Sequence, residues 1–360
     1  MVGQNIGLRD KYCPCMEVVP LDTFDVFRII VPEALELFEK RYMILREIKD
    51  NQPIGRRLLS IKLGMTERNV RTEVENLVKH NLLDIKNMGM YVTDEGENVL
   101  SELSDLFKKI MIKPELSKEV SAILGVRDCY VVSGNSSLSE FTLKDLAKTA
   151  SDVLVSTLEP NSIVGVTGGH TMLAVSEQIS SKKEFKDVTV IPARGGLGTD
   201  LKTQANTVAS KLAQNIGANY KLLYIPDSIG QDVNEIASKN KEIKDTLDLI
   251  EMIDIFVFGI GRADVMAKRR NLSEDNIKFL EENHAVAEAF GHFFDIEGND
   301  ILEYGSAGLS LKKYLKIDKV IGVAGGEEKA EAIMAISSLR KDITLVIDEA
   351  VAKKIIFNKI

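Results

Sequence analysis

The sequence predicts an α/β protein in which an N-terminal winged helix-turn-helix is joined to a Rossmann-like domain with a mainly parallel sheet. Two observations support this fold class. Residues 32–94 show helical spacing, then a helix–turn–helix pattern and a hairpin signal, which is the layout of a winged helix-turn-helix. From about residue 128, short apolar runs alternate with helical stretches, which is typical of βαβ units.

The elements of the first domain follow from periodicity and from turn residues. After Pro32, apolar side chains recur every three or four residues up to residue 50, which predicts a first helix. The stretch IGRRLLSIKL predicts a second, short helix, and a third helix follows the break GMT, with Thr66 as its N-cap. Two short runs around Asn87-Met88-Gly89 predict a β-hairpin.

Basic charge is concentrated in this part of an acidic chain. The 360 residues carry a net charge of −8, but segment 54–80 has six basic and three acidic residues, so it is +3 and the remainder is −11. The third helix directs Arg68 and Arg71 away from its apolar face. Such a face suits operator DNA, although a solvated helix face is the competing interpretation. The predicted DNA-binding residues are Arg56, Arg57, Thr66, Arg68, Asn69, Arg71 and Thr72.

The same patterns predict the domain boundaries. Residues 1–31 form a leader of unknown role, and residues 32–94 form the DNA-binding domain. Residues 95–115 form a linking amphipathic helix that ends at the Lys113-Pro114 step. Residues 116–360 form the effector-binding domain.

Several classes of protein are disfavoured by what the sequence lacks. No apolar run approaches the roughly 20 residues that span a bilayer, and the leader has no signal-peptide pattern, so we expect a cytoplasmic protein. Cys13 and Cys15 form a C-x-C pair, but no His or Cys cluster supplies further zinc ligands, so neither a metal nor a cofactor is expected. Walker A and G-x-G-x-x-G spacings are missing, which disfavours nucleotide hydrolysis and dinucleotide binding.

The predicted strands of the second domain end in glycine-rich loops. Thr167–Thr171 follows the second strand, Arg194–Gly196 the third, and Gly325-Gly326 with Lys329 the sixth. Ligands of open α/β sheets bind beyond the carboxyl ends of the strands, so we expect these loops to form one site. Glycine lets the backbone approach an anion, helix N-termini offer N–H groups, and cations neutralise charge. The pattern favours a phosphorylated ligand, although a tight strand–helix turn explains any single Gly-Gly pair about as well.

Long motifs in this domain resemble those of the SorC family of transcriptional regulators. They are VTGGHT, PARGGLG, GIG…AKRRN, AVAEAFG and VAGG..KAEAI, in that order, with PIGRRLLS and GMTERNVR in the DNA-binding part. The resemblance extends from about Pro32 to the C-terminus. It implies a repressor whose effector domain resembles sugar-phosphate isomerases and deaminases, and whose inducer is fructose 1,6-bisphosphate.

The resemblance also implies an effector site. One phosphate would be held by Thr167, Gly168, Gly169 and Thr171, with Ala324, Gly325, Gly326 and Lys329 nearby. The other phosphate would meet Arg194, next to Gly195, and Arg269, while Gln204 and Glu288 would lie near the sugar hydroxyls. His170 stands where the family usually has a threonine. A histidine can also donate a hydrogen bond to phosphate, but its charge would make the affinity depend on pH.

An active enzyme is the main alternative to a sensor. In glucosamine-phosphate deaminases the loop after GIG supplies Asp-Gly-His, whereas GIGRADVMAKRR has Asp264 and no histidine. We therefore expect that the binding loops are kept and that the catalytic groups are lost. The alternative is an active sugar-phosphate isomerase or deaminase with an appended DNA-binding module. Because symmetric oligomers usually read operators, a homodimer or homotetramer is expected.

Overall fold

The computed structural model of the protein describes residues 30–110, 112–181, 183–196, 200–225, 236, 239–304 and 308–359, without the side chains of residues 32 and 104–110. The predictions for Cys13, Cys15 and almost all of the leader lie outside these residues, as does the packing of the second half of the linking helix. Within them, no helix is long and apolar enough to cross a membrane.

The N-terminal part is a winged helix-turn-helix, as the sequence predicts. Its elements are α1 (Pro32–Asn51), α2 (Arg56–Leu63), α3 (Glu67–Lys79), β1 (Leu83–Lys86) and β2 (Gly89–Val92). The strands β1 and β2 are antiparallel, with Lys86 opposite Gly89 across a two-residue turn. Thr66 accepts a hydrogen bond from the Asn69 N–H at 3.3 Å, so the predicted N-cap of α3 is confirmed.

A long helix, α4 (Asp94–Ile110), leads from the wing into the second part of the chain. The elements that follow are α5 (Pro114–Leu124), β3 (Asp128–Val132), α6 (Glu140–Thr157), β4 (Ile163–Val166), α7 (His170–Gln178), β5 (Thr189–Pro192), α8 (Ala205–Ile216), β6 (Asn219–Tyr220), α9 (Lys241–Ile250), β7 (Ile255–Gly259), β8 (Gly261–Arg262), α10 (Ala263–Arg269), α11 (Glu274–Glu282), β9 (Ala287–Ala289), β10 (His292–Phe294), β11 (Asp300–Glu303), α12 (Leu311–Tyr314), β12 (Lys319–Ala324), α13 (Ala330–Leu339), β13 (Thr344–Asp348) and α14 (Glu349–Lys359). The predicted alternation of strands and helices is confirmed.

Seven strands of this part form one sheet in the order β3-β13-β12-β7-β4-β5-β6. All of its neighbouring strands are parallel, which confirms the predicted mainly parallel sheet. After β4 the chain runs outward to β6 at one edge and then returns to place β7 beside β4. The strand order therefore reverses between β4 and β7, and ligands of open α/β sheets bind at such a switch point.

Helices cover both faces of this sheet. In β7, Ile255 and Val257 belong to the apolar cluster formed with α6, α7 and α8, whereas Phe256 and Phe258 belong to the cluster formed with α13 and α14. Side chains alternate between the faces of a strand, so a strand that is apolar throughout lies in the interior of the layered domain.

The fourth predicted strand is shorter and begins earlier than the sequence suggests. The run YKLLYIP predicts a strand from Tyr220 onward, but β6 consists of Asn219–Tyr220 alone. The side chain of Asn206 explains the difference, because it bonds both the N–H and the carbonyl oxygen of Leu223 at 3.0 Å. These backbone groups are thereby paired with a side chain instead of a neighbouring strand.

A second, antiparallel sheet lies beside the parallel one, in the order β11-β10-β9-β8. The hairpin predicted around Glu297–Asp300 is confirmed as the β10–β11 turn. The strands β8 and β9 were not predicted, because two or three residues are too few to show an alternating pattern. Their residues Gly261, Arg262 and Glu288 reach the cavity described next.

Candidate functional site

A cavity of about 300 Å³ lies at the switch point between β4 and β7. Most of the predicted effector residues line it: Thr167, Gly168, Gly169, His170, Thr171, Arg194, Gly195, Gln204, Arg269, Glu288 and Lys329. Three do not reach it, namely Ala324, Gly325 and Gly326. Ala324 is fully buried, and the Gly326 N–H donates instead to Asp348 Oδ2 at 2.7 Å.

The loop between β4 and α7 has the geometry of an anion-binding loop. Gly169 adopts φ +112°, a conformation that side chains rarely allow. Gly168 packs against backbone so closely that a Cβ there would lie 2.4 Å from the carbonyl oxygen of Thr203. The helix α7 starts at His170 without a side-chain cap, so the N–H groups of its first turn are left for a ligand.

Lys329 supplies positive charge to the cavity from the end of β12. It closes the short 3₁₀ turn Glu327–Lys329, and β12 and β4 both neighbour β7 in the sheet. Burial lowers the pKa of Lys329 below its ordinary value, while the carboxylates of Glu328 and Asp348 oppose that shift. A bound phosphate would stabilise the charged ammonium in the same way as these carboxylates.

Two buried arginines and one carboxylate form a further charged group at the cavity. Arg270 Nη2 donates to Glu288 Oε1 at 2.6 Å, and Arg194 Nη1 lies 3.5 Å from the same oxygen. The Gly291 N–H also donates to this oxygen, at 2.8 Å. Glu288 thus faces two guanidinium groups, and the third arginine of the cavity, Arg269, donates to the Thr203 hydroxyl at 3.3 Å. Among the described residues that line the cavity, five cationic side chains stand against two carboxylates: Arg194, Arg262, Arg269, Arg270 and Lys329 against Glu288 and Glu328.

The sequence interpretation missed several residues that line the cavity. They are Met172, Thr203, Ala205, Gly259, Ile260, Gly261, Arg262, Val265, Met266, Arg270, Phe290 and Glu328. Arg270 directly follows the predicted Arg269 within the KRRN motif, and that adjacency was the available signal. Phe290 lies two residues after the predicted Glu288 in the AVAEAFG motif, so the same kind of signal was available there. Thr203 gave none, because it closes a short 3₁₀ turn outside the quoted motifs.

The chain is similar to known proteins over most of its length. Residues 109–357 match the Sugar-bind family of sugar-binding domains, and residues 37–107 match the CggR N-terminal DNA-binding domain. A curated relative, the central glycolytic genes regulator of Bacillus subtilis (strain 168), is 37% identical over 327 residues, which cover 91% of this chain and 96% of that protein. The chain belongs to the SorC family of transcriptional regulators.

The relatives of this SorC regulator include a solved structure and an enzyme. The crystal structure of a SorC family transcriptional regulator from Enterococcus faecalis is 35% identical and has a TM-score of 0.63, over 67% of this chain and 99% of that one. The glucosamine-6-phosphate deaminase of Clostridioides difficile (strain 630) is 24% identical over 244 residues, covering 58% of this chain and 92% of that enzyme. The SorC regulator thus shares part of its sequence with an enzyme of sugar phosphates.

The exposed face of α3 is the candidate DNA-binding surface of the SorC regulator. Arg57, Arg68, Asn69, Arg71 and Thr72 are exposed, and Arg56 is partly buried. The Thr72 hydroxyl donates to the carbonyl oxygen of Arg68 at 3.1 Å, within the helix. Not all basic residues of segment 54–80 face outward, because the Lys62 ammonium pairs with the buried Glu47 carboxylate at 3.1 Å. The outward arginines remain available to DNA.

Among the residues that the structure describes, no group of three or more His, Cys, Asp or Glu side chains is placed to hold a metal ion.

Proposed function

We propose that this SorC regulator is a sugar-phosphate-responsive repressor of central glycolytic genes, and that fructose 1,6-bisphosphate is its inducer. One observation supports the bisphosphate above all. The cavity receives positive charge from two separate sources, the start of α7 with Lys329 and the cluster of Arg194, Arg269 and Arg270. A ligand with two phosphates would place an anion at each of these two groups, whereas a monophosphate would leave one group without an anion. The name of the Bacillus subtilis relative supports the glycolytic target.

Release of DNA follows from linkage between the two sites. The sugar must bind the DNA-free arrangement more tightly than the DNA-bound one, because a ligand with equal affinity for both states shifts neither. We further propose that a homodimer or homotetramer binds the operator through the exposed face of α3, since symmetric operators are read by symmetric oligomers. Such a repressor works in the cytoplasm.

Binding without turnover is the second part of the proposal. Asp264, the acidic residue shared with the deaminase loop, does not line the sugar cavity. Although burial opposes its ionisation, hydrogen bonds from Arg262 at 2.6 and 3.1 Å hold the pKa of Asp264 below its ordinary value. A general base needs the opposite, a pKa raised toward the working pH and contact with the substrate.

Thermal unfolding with added sugar phosphates tests this proposal. At about 100 times its Kd, fructose 1,6-bisphosphate should stabilise the protein by about 2.7 kcal/mol and raise its Tm. Fructose 6-phosphate at the same concentration should stabilise the protein less. Arg269→Ala, Lys329→Ala and Thr171→Val should each reduce the stabilisation, because each removes a donor to phosphate. The exposed Lys312→Ala is the matched control and should behave as wild type. Equal stabilisation by the two sugars would contradict a two-phosphate site.

A further inference from the structure

The loop between β3 and α6, residues 133–139, bonds to both functional parts of the molecule. Its sequence is SGNSSLS, with a serine at four of its seven positions. Each of these serine side chains hydrogen-bonds a carboxylate of another element. Two of the carboxylates belong to the effector domain next to the cavity, and two belong to α1 of the DNA-binding domain.

On the cavity side, the loop holds the two carboxylates that flank Lys329. The Ser136 N–H and hydroxyl both donate to Asp348 Oδ2 at 2.8 Å, and the Ser137 hydroxyl donates to Glu328 Oε1 at 2.7 Å. Glu328 itself lines the cavity. A phosphate that pairs with Lys329 repels both carboxylates and so alters the balance of forces on the groups that the serines hold.

On the DNA side, the loop reaches a buried acid of α1. The Ser139 hydroxyl donates to Glu47 Oε2 at 2.7 Å, and Glu47 is only 1% exposed. The other carboxylate oxygen of Glu47 accepts from Asn51 at 3.0 Å and pairs with Lys62 of α2 at 3.1 Å. Glu47 therefore connects the loop directly to the helix-turn-helix.

A second buried acid of α1, Glu39, is also bonded to a serine of the loop. Glu39 accepts a hydrogen bond from the Ser133 hydroxyl and another from Lys113 at 2.6 Å. On the opposite side of α1, Arg41 donates to Glu73 of α3 at 2.9 Å. Burying carboxylates is costly, and an apolar face on α1 would pack without that cost. The polar contacts thus define one particular position of α1 against the loop.

We propose that loop 133–139 couples occupancy of the sugar cavity to the position of the helix-turn-helix, through the contacts Glu328–Ser137 and Ser139–Glu47. This inference rests on the proposed function, since it requires that a sugar phosphate binds beside Lys329. The loop joins the two sites through side chains whose hydrogen bonds depend on geometry, so a change at one end alters the free energy of the arrangement at the other.

The test compares Ser137→Ala with wild type in three measurements. Calorimetry gives the Kd for fructose 1,6-bisphosphate, and fluorescence anisotropy gives the operator Kd without and with the sugar. The ratio of the two operator constants is the coupling. Ser137 is exposed, so the variant should fold and keep both separate affinities within about twofold, while the coupling falls roughly 2- to 10-fold, as expected for one hydrogen bond.

Two further variants make the result unambiguous. Ser139→Ala should also reduce the coupling, from the other end of the loop; because the Ser139 hydroxyl caps α6 as well, by accepting from the Thr142 N–H at 3.4 Å, the stability of this variant is measured beside its coupling. Ser156→Ala is the matched control, because its exposed hydroxyl bonds a carbonyl oxygen of its own helix, and it should leave the coupling unchanged. If both Ser137→Ala and Ser139→Ala keep the coupling of wild type, the inference about the loop is refuted and the proposed function is not. A wild type whose operator binding ignores the sugar overturns the proposed function, and the inference with it.

Discussion

Replacing Gly168 with alanine should distort the loop that we assign to phosphate. A Cβ at this position would lie 2.4 Å from the Thr203 carbonyl oxygen, 2.9 Å from the Ala205 nitrogen and 3.2 Å from the Gln204 carbonyl carbon, whereas ordinary contacts begin near 3.4 Å. All three atoms belong to the backbone, so no side-chain rotation relieves the clash. Overpacking of this kind costs about 1–3 kcal/mol, and the loop must move away from the backbone of residues 203–205.

Denaturant unfolding and sugar-induced operator release measure the two consequences. Gly168→Ala should lose about 1–3 kcal/mol of unfolding free energy and should need more fructose 1,6-bisphosphate to release the operator. Gly259→Ala is the matched control for stability, because its Cβ would meet Met172 Cγ at 3.8 Å and the Val323 carbonyl oxygen at 4.0 Å, which are ordinary contacts. It should change stability by no more than about 0.5 kcal/mol. If the two variants have the same unfolding free energy, and Gly168→Ala releases the operator at the same sugar concentration as wild type, the close packing of Gly168 against residues 203–205 is refuted.

Three more predictions concern DNA, pH and chemistry. Replacing Arg68 and Arg71 with alanine should weaken operator binding by about 1–3 kcal/mol per base contact and leave sugar binding intact. The control Arg127→Ala should change neither affinity. Operator binding as tight as that of wild type in the double variant would refute the assignment of α3 to DNA. Burial lowers the pKa of Lys329 and a bound phosphate raises it, so binding takes up a proton between those two pKa values and the affinity should fall as pH rises through the lower one. Calorimetry in buffers of different ionisation enthalpy measures this uptake. An affinity that stays constant up to the ordinary lysine pKa, about 10.4, would contradict the prediction. Incubation with glucosamine 6-phosphate, ribose 5-phosphate or fructose 1,6-bisphosphate should yield no product, and turnover of about 1–1,000 per second would identify an enzyme.

Local features of the fold could be predicted from the sequence because each depends on a few neighbouring residues. Thr66 precedes a helical pattern and caps α3, and Asn87-Met88 sits between two short apolar runs and forms the turn of the wing. Five strands of the parallel sheet, β3, β4, β5, β7 and β12, were visible as apolar runs that end at or near a glycine, so the loops at their carboxyl ends were found as well.

Long-range pairings could not be predicted in the same way. Arg270 and Glu288 are 18 residues apart and meet only because β9 packs beside α10. In α1, periodicity shows which face is apolar, but it does not reveal that Glu39 and Glu47 are buried and bonded to serines 92 to 94 residues away. A buried carboxylate is recognised only when its partners are known, and these partners lie on other elements.

Titration of operator binding with a panel of sugar phosphates is the direct test of the proposed function. The wild-type protein is mixed with labelled operator DNA, and fructose 1,6-bisphosphate, fructose 6-phosphate, ribose 5-phosphate, glucosamine 6-phosphate and inorganic phosphate are each added over the same concentration range. A cavity with two sources of positive charge predicts that fructose 1,6-bisphosphate releases the operator at the lowest concentration. Release by none of the sugars, or by a monophosphate at the same concentration as the bisphosphate, would contradict induction by fructose 1,6-bisphosphate.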